Sequence, residues 1–370
     1  MPKQRSRDLG LPFPGVTGPL NAITDVRGVE VGFATIEGQS DQGLQIKTGV
    51  TAILPRGHQT EPQPVWAGFH SLNGNGEMTG THWIDDAGYF VGPVCVTNTQ
   101  SVGMVHHGAT RWMVRQYADA WKRARLWAMP VVGETFDGSF NDIDGLHVTE
   151  AHVLAALDTA RGGPVAEGNV GGGNGARCYN FKGGTGTASR VVEVDGQFYT
   201  VGVLVQSNHG IREVFSVLGV PVGQEIPDVE RSAELGSIIV VIATDAPLLP
   251  HQLRRVAKRG SIGIGRNGTF GGNSSGDLFL AISVANPKSL PQFAPAHQTM
   301  EHLADDACDV IYASAVQAIE EAVINSMLAA EDASFLDPAR GLCKAIDPAC
   351  LLDVMKRYNR GPASCSPSRP

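Results

Sequence analysis

No run of apolar residues in the sequence approaches the roughly 20 needed to cross a membrane. The longest, Ile238 to Ala243 and then Ala246 to Leu249, is broken by Thr244 and Asp245. Basic charge is also in deficit: 29 Lys and Arg stand against 37 Asp and Glu, for a net charge of -8. That is the wrong sign for a protein that works by neutralising phosphates. The most basic stretch, Arg254, Arg255, Lys258 and Arg259, reads as the solvated face of a helix, so neither nucleic acid nor a membrane is an expected partner. No C-x-x-C pair occurs. Cys95, Cys178, Cys308, Cys343, Cys350 and Cys365 are scattered through a chain too long to need disulfide staples, and read as mostly reduced thiols. Behind the charged residues 1–10 there is no signal-peptide core, because Leu11-Pro12-Phe13-Pro14 interrupts it at once; a cytoplasmic location is expected. H-E-x-x-H, G-x-x-x-x-G-K-[ST] and Cys/His ligand spacings are all missing, and adjacent His106 and His107 seldom turn both rings to one ion. The expectation is no catalytic metal and no cofactor.

Glycine, by contrast, is abundant. The chain has 45 in 370 residues, about 12% against a usual 7%, yet with 22 prolines it stays below the level of low-complexity sequence, which puts the glycines in tight turns and crowded backbone. β-Branched runs predict strands at Gly28 to Val31, Gly49 to Leu54, Tyr89 to Val96, Val191 to Gln206, Ser237 to Ala243 and Asp277 to Val284. Helical spacing marks Ala109 to Leu126, Val148 to Ala160, Pro250 to Lys258 and Glu301 to Ala330, the last with one apolar stripe through Leu303, Ala307, Val310 and Ile311. A short helix is expected after Asp347-Pro348, where Asp caps and Pro fits the first turn. Clustered strands between long helices, without a regular βαβ rhythm, indicate stacked sheet and helix layers. The polar segment Pro221 to Leu235 reads as an exposed loop, and the tail from Arg360 as disordered.

Three motif matches fail on context. Gly263-Ile-Gly265-Arg-Asn-Gly268 and Gly171-Gly-Gly173-Asn-Gly-Ala176 fit dinucleotide fingerprints but lack the strand before and helix after that bring a helix N-terminus to a pyrophosphate. Gly272-Asn-Ser274-Ser-Gly276 fits a nucleophile elbow, but a strand follows it where a helix is required.

One junction has more chemistry. Acidic, proline-containing sequence ends in Leu235-Gly236, and a strongly apolar strand begins with Ser237. By itself this is a turn glycine leading into a buried strand. Were the Gly236–Ser237 bond cut, however, Ser237 would hold a hydroxyl nucleophile and, in its own α-amine of reference pKa about 8, a base.

The sequence here resembles the DmpA-type L-aminopeptidase/D-amidase-esterases and the β-aminopeptidases, from about Leu20 to Met327. The markers are Asn21-Ala-Ile-Thr-Asp-Val-Arg-Gly-Val-Glu-Val-Gly32, Gly133-Glu-Thr-Phe-Asp-Gly-Ser-Phe-Asn-Asp142, and Gly171-Gly-Gly-Asn-Gly175 with Gly183-Gly-Thr-Gly186. They continue with Val203-Leu-Val-Gln-Ser-Asn-His-Gly210, Gly236-Ser-Ile-Ile-Val-Val-Ile-Ala-Thr-Asp-Ala-Pro-Leu-Leu-Pro250 and Gly272-Asn-Ser-Ser-Gly-Asp277. The resemblance implies an α+β, four-layer αββα sandwich formed by one domain over 1–370, cut into a large chain 1–236 and a small chain 237–370 of roughly 25 and 14 kDa. The cut between Gly236 and Ser237 would sit at an accessible, strained turn. The processed heterodimers would assemble into a homo-oligomer.

Residue by residue, the resemblance makes Ser237 the nucleophile of both self-cleavage and turnover, and Asn208 the side-chain donor to the oxyanion. Asn208 also fits a plain turn former ahead of His209-Gly210. Ser275 and Asp277 match a pair beside the nucleophile whose acidic member is usually glutamate, and the same residues fit a Ser-Gly-Asp turn; whether they or the α-amine act as base is left open. Glu134 matches a carboxylate that binds the substrate's amino group. Phe136 stands where related enzymes place a tyrosine, and it cannot donate that hydrogen bond. Asp137, Asn141 and Asp142 read as loop organisers. The expected substrate is a short peptide, amino-acid amide or ester, releasing an L-, D- or β-amino acid such as alanine. Acyl transfer of the ornithine acetyltransferase kind uses threonine, against which Ser237 argues. Two alternatives stay open: an unprocessed nucleotide binder, and a catalytically decayed protein of the same fold.

Overall fold

The computed structural model describes residues 3–226 and 236–362. In chain order the strands are β1 (Glu30–Gln39), β2 (Gln45–Leu54), β3 (Val65–Ser71), β4 (Tyr89–Phe90), β5 (Val94–Asn98), β6 (Val131–Thr135), β7 (Arg177–Cys178), β8 (Phe181–Lys182), β9 (Gly184–Val194), β10 (Gln197–Asn208), β11 (Ser237–Thr244), β12 (Leu278–Ser283), β13 (Ala333–Ser334) and β14 (Leu342–Cys343). The helices are α1 (Thr81–Ala87), α2 (Val102–Gln116), α3 (Ala118–Arg123), α4 (Glu150–Asp158), α5 (Val222–Glu225), α6 (Pro250–Gly265), α7 (Asp309–Leu328) and α8 (Pro348–Arg357).

Two sheets lie face to face, one ordered β1-β2-β5-β6 and the other β4-β3-β12-β11-β10-β9. Helices α2 and α4 cover the first, and α6 and α7 the second, so the layers run αββα. Each junction between layers has its own apolar core. Val96, Val131, Leu204, Ile239, Val241 and Leu280 meet between the sheets, Trp112, Met113, Val153 and Leu157 pack beneath α2 and α4, and Val240, Ile242, Phe279, Ile319 and Val323 pack beneath α6 and α7. A strand buried on both faces reads as continuous β-branched sequence, as Ile238-Ile-Val-Val-Ile242 does at the centre of the larger sheet. The β9–β10 hairpin turns at Asp195 and Gly196, both at positive φ, as a two-residue turn between twisted strands requires.

Several sequence expectations are corrected. Tyr89 to Val96 is two strands, because Gly92, at φ 101°, and Pro93 turn the chain between β4 and β5. β3 and β6 were not anticipated at all. α2 begins at Val102 and ends at Gln116, short of Leu126. α6 runs on past Lys258 to Gly265. α7 starts only at Asp309; Val310 of the supposed apolar stripe is exposed, while every residue from Ala318 to Leu328 is buried. α8 starts as expected, with Asp347 accepting from the Ala349 amide. Of the expected loop Pro221 to Leu235, residues 222–225 form α5 with Val222 and Gly223 buried, and residues 227–235 lie outside the described residues, as do 363–370 of the expected tail. No helix among the described residues is long and apolar enough to cross a membrane.

Candidate active site

Ser237 opens β11 and pairs with Asn208, the last residue of β10. On its other side β11 runs parallel to β12, with Ile239 opposite Leu278, so Asp277 reaches the same end of the sheet as Ser237. The smaller sheet delivers the ends of β5 and β6 to this place, and Gln206 ties the two sheets together by donating from Nε2 to the Thr97 carbonyl (3.0 Å) and to Thr135 Oγ1 (2.7 Å). Ser237, Asn208, Glu134, Ser275 and Asp277 are all buried.

Asn208 is oriented without ambiguity. Its Oδ1 accepts from the Arg177 amide (2.7 Å) and its Nδ2 donates to the Phe136 carbonyl (2.8 Å); each partner can play only one role, which fixes the carboxamide. Nδ2 has a second proton to give. The Gly236–Ser237 peptide lies against this residue: a Cβ at position 236 would fall 1.8 Å from the Asn208 carbonyl oxygen and 3.3 Å from Nδ2. Only glycine fits there. Gly236 is itself buried, which corrects the expectation of an accessible turn. Attack by a serine on the carbonyl just before it needs no outside reagent, so only the later hydrolysis of the ester calls for water at the junction.

Ser275 donates to Asp277 Oδ1 (2.6 Å). That proton being committed, the Ser275 oxygen is left to accept. Asn73 clamps the pair, donating from Nδ2 to Asp277 Oδ2 (2.9 Å) and the Gly272 carbonyl (3.0 Å) while accepting from the Asp277 amide (2.8 Å); Asn75 holds the Ser274 carbonyl (2.7 Å). Glu134 sits on the far side of this loop, its Oε1 3.2 Å from the place of a Cβ on Gly76, and Gly276 Cα is equally near that place. Glu134 Oε1 accepts from the Glu77 amide (3.0 Å) and Oε2 from the Thr99 hydroxyl. Burial pushes the Glu134 carboxyl above the usual range, against the pull of these two donors, and the nearby Glu77 charge adds to the rise.

Phe136 meets the site through its backbone carbonyl. Its ring is exposed and lies over Gly138. Asp137 is buried, and desolvation pushes it up to about 6 although Thr48, Asn141 and Asn98 bond to it; Asn141 in turn accepts from the Lys47 amide, and Asp142 pairs with His147, so these residues do organise the loop. Ser274 is exposed at a turn. The amides of Gly171 and Gly172 are spent on Thr35 and Thr51, and Gly263 to Gly265 close α6, so neither fingerprint match can cradle a phosphate. Sequence reasoning missed Asn73, Asn75, Thr99 and Gln206. Asn73-Gly-Asn-Gly76 reads as an ordinary turn, and nothing in the other two positions signals a partner distant in sequence.

Comparison with known proteins shows a family and a fold. Residues 21–338 match Peptidase family S58. The chain is 47% identical over 377 residues to the β-peptidyl aminopeptidase BapA of Sphingosinicella microcystinivorans, covering 96% of this chain and 93% of the relative. It is 44% identical over 347 residues to BapA of Sphingosinicella xenopeptidilytica, covering 88% and 85%. Among solved structures, the L-aminopeptidase D-Ala-esterase/amidase of Ochrobactrum anthropi, described as a variant of the Ntn hydrolase fold, superposes with a TM-score of 0.92 at 54% identity over 96% of this chain and 99% of that one. A β-aminopeptidase from Burkholderia sp. gives 0.87 at 43% identity, over 96% and 99%.

Proposed function

The chain belongs to peptidase family S58, and from that premise we propose that it cuts its own Gly236–Ser237 bond and uses the freed Ser237 as the nucleophile of an aminopeptidase. It is a hydrolase, an aminopeptidase/amidase of the Ntn type. The observation that carries the specific reading is the Asn208 amide, fixed at both ends, beside the Gly236–Ser237 peptide.

Self-cleavage begins with Ser237 Oγ attacking the Gly236 carbonyl. The hydroxyl proton passes to the departing nitrogen as the C–N bond breaks, leaving an ester on the serine and a free α-amine, and water then hydrolyses the ester to give the two chains, 1–236 and 237–370. In turnover the α-amine takes the hydroxyl proton as Oγ attacks the substrate carbonyl, and returns it to the departing amine. Asn208 offers its second Nδ2 proton to the oxyanion in both reactions. Ser275, its own proton held by Asp277, keeps an oxygen free to accept a hydrogen bond on this side of the site. Glu134, a buried carboxylate with two donors already in place, pairs with the substrate's ammonium group, so a peptide blocked at its N-terminus leaves that charge uncompensated and is a poor substrate.

The relatives' names support short peptides, amides and esters with a free amino terminus, bearing L-, D- or β-amino residues such as alanine. We place the enzyme in the cytoplasm as a homo-oligomer of processed heterodimers, a reading that fractionation and light scattering check. The experiment that tests the whole is the denatured intact mass with N-terminal sequencing. Two chains are expected, the smaller starting Ser-Ile-Ile-Val-Val, with Ser237→Ala remaining one chain of 39.1 kDa. A wild-type chain that stays whole on long incubation overturns it.

A further inference from the structure

We propose that Lys182 is a positioning residue for the oxyanion-binding amide of Asn208, acting through the Ala176–Arg177 peptide. This rests on reading Asn208 as the oxyanion donor.

Lys182 has no exposed surface, and among the described residues it has no ion-pair partner. A buried ammonium of this kind is costly, so its environment must compensate. The compensation is local. Nζ donates to the Ala176 carbonyl (2.8 Å) and the Gly183 carbonyl (2.8 Å), and stands 5.4 Å from the centre of the Phe140 ring. None of these groups belongs to the acid–base machinery described above.

The first bond leads directly to the catalytic centre. The Ala176 carbonyl that receives the ammonium is one end of a peptide whose other end, the Arg177 N–H, donates to Asn208 Oδ1. Asn208 then donates from Nδ2 to Phe136. The result is a connected series of dipoles: Nζ–H to O=C, N–H to Oδ1=C, and Nδ2–H to the Phe136 carbonyl, with the second Nδ2 proton left for the oxyanion. Each bond in such a series polarises the next. A positive charge at its head withdraws electron density along it, leaves the Nδ2 protons more positive, and makes them better donors to negative charge developing on the substrate. The β7–β8 pairing, Arg177 opposite Lys182, and the Gly183 amide on the same Ala176 oxygen (2.9 Å) keep the peptide from rotating out of line.

The charge is conditional on pH. Burial brings Lys182 down to about 7, helped by Lys47, while Glu37 and the Cys178 and Cys343 thiols act in the opposite direction. Polarisation is therefore present below neutrality and fades as the pH rises through 7.

The test compares wild type, Lys182→Met and Lys182→Gln, each alone and with Asn208→Ala, as processed enzyme on an amino-acid amide; where processing stalls, the self-cleavage rate is read in place of kcat. Lys182→Met should lower kcat about tenfold with KM little changed, a fraction of the 10²–10³ that losing a whole oxyanion donor costs. In the Asn208→Ala background the same substitution should cost less than about twofold. The ratio of wild-type to Lys182→Gln kcat should shrink from about tenfold at pH 6 toward one at pH 9, because only the protonated lysine acts. Equal losses in both backgrounds, or a ratio independent of pH, overturn the proposal and leave Lys182 a structural residue. If Lys182→Met does not fold, the pH ratio for Lys182→Gln decides alone. Full activity in Asn208→Ala by itself would instead overturn the oxyanion reading on which the proposal stands.

Discussion

Glu134 faces two demands that pull in opposite directions. To hold a substrate ammonium it must be ionised, yet its burial favours the neutral acid, and the Glu77 amide and Thr99 hydroxyl recover only part of the difference. The sign for substrate binding follows. Because the carboxyl titrates above the usual range, it protonates earlier as the pH falls, and KM should begin to rise at a pH where an ordinary glutamate is still fully charged. KM measured between pH 5 and 8 should show this limb in the wild type, while Glu134→Gln should show a high KM without it. Identical KM profiles for the two proteins would remove Glu134 from substrate binding. Phe136 holds Asn208 through its backbone carbonyl, a bond that does not depend on which side chain stands there.

At the scale of elements, the site is two loops and the ends of β5, β6, β10 and β11 held in register. Gly236→Ala would press a methyl group into the Asn208 carbonyl and push the end of β11 away from β10 by about an ångström; displacement of that size can cost about 10² in rate. Self-cleavage followed by intact mass should slow accordingly, and cleavage at the wild-type rate would show that the junction is not held as described. Asn73→Ala removes three hydrogen bonds at once, two of them to the buried amide and carboxylate of Asp277. A loss of about 1–3 kcal/mol in stability is expected together with a fall in kcat. A variant with unchanged thermal midpoint and kcat would count against a role for the clamp. These same elements show what the sequence could convey. The β11 strand, stacked sheet and helix layers and the motif residues around Ser237 were legible, because β-branched runs and local motifs are sequence-contiguous, and the αββα order of the layers came with the family resemblance. β3 was not, since Gly68 in its middle looks like a break. It is where α6 crosses the strand, with a Cβ there 2.1 Å from the Arg254 amide nitrogen. α6 itself was cut short in the reading for the same reason, its Gly260 and Gly263 being seats for Phe279 and Ile319. Asn73 and Gln206 were invisible because their partners lie far away along the chain.

For the whole molecule, the proposed cut divides the structure in an unusual place. The small chain would contain β11 and β12, the two central strands of the larger sheet, flanked by β10 and β3 from the large chain. Neither chain has a complete core without the other, so cleavage should release an N-terminus without releasing a subunit. A buried charge cluster joins the two halves as well. Glu321, on α7 in the small chain, accepts from Arg7 Nε (3.0 Å), Arg190 Nη2 (2.6 Å) and Asn21 Nδ2 (2.6 Å), all in the large chain. Glu321 and Arg190 are fully buried, and desolvation pulls the Arg190 guanidinium below its ordinary pKa while the Glu321 charge and hydrogen bond push it back up, so each charge compensates the burial of the other. Glu321→Gln keeps the shape and some of the hydrogen bonds but leaves Arg190 facing a neutral partner. Breaking a buried pair from one side costs about 3–5 kcal/mol, so the processed enzyme should unfold at lower urea, with both chains lost in the same transition, while kcat at 25 °C is retained. Were the midpoint unchanged, or the small chain to dissociate from a still-folded large one, the cluster would not be the joint between them.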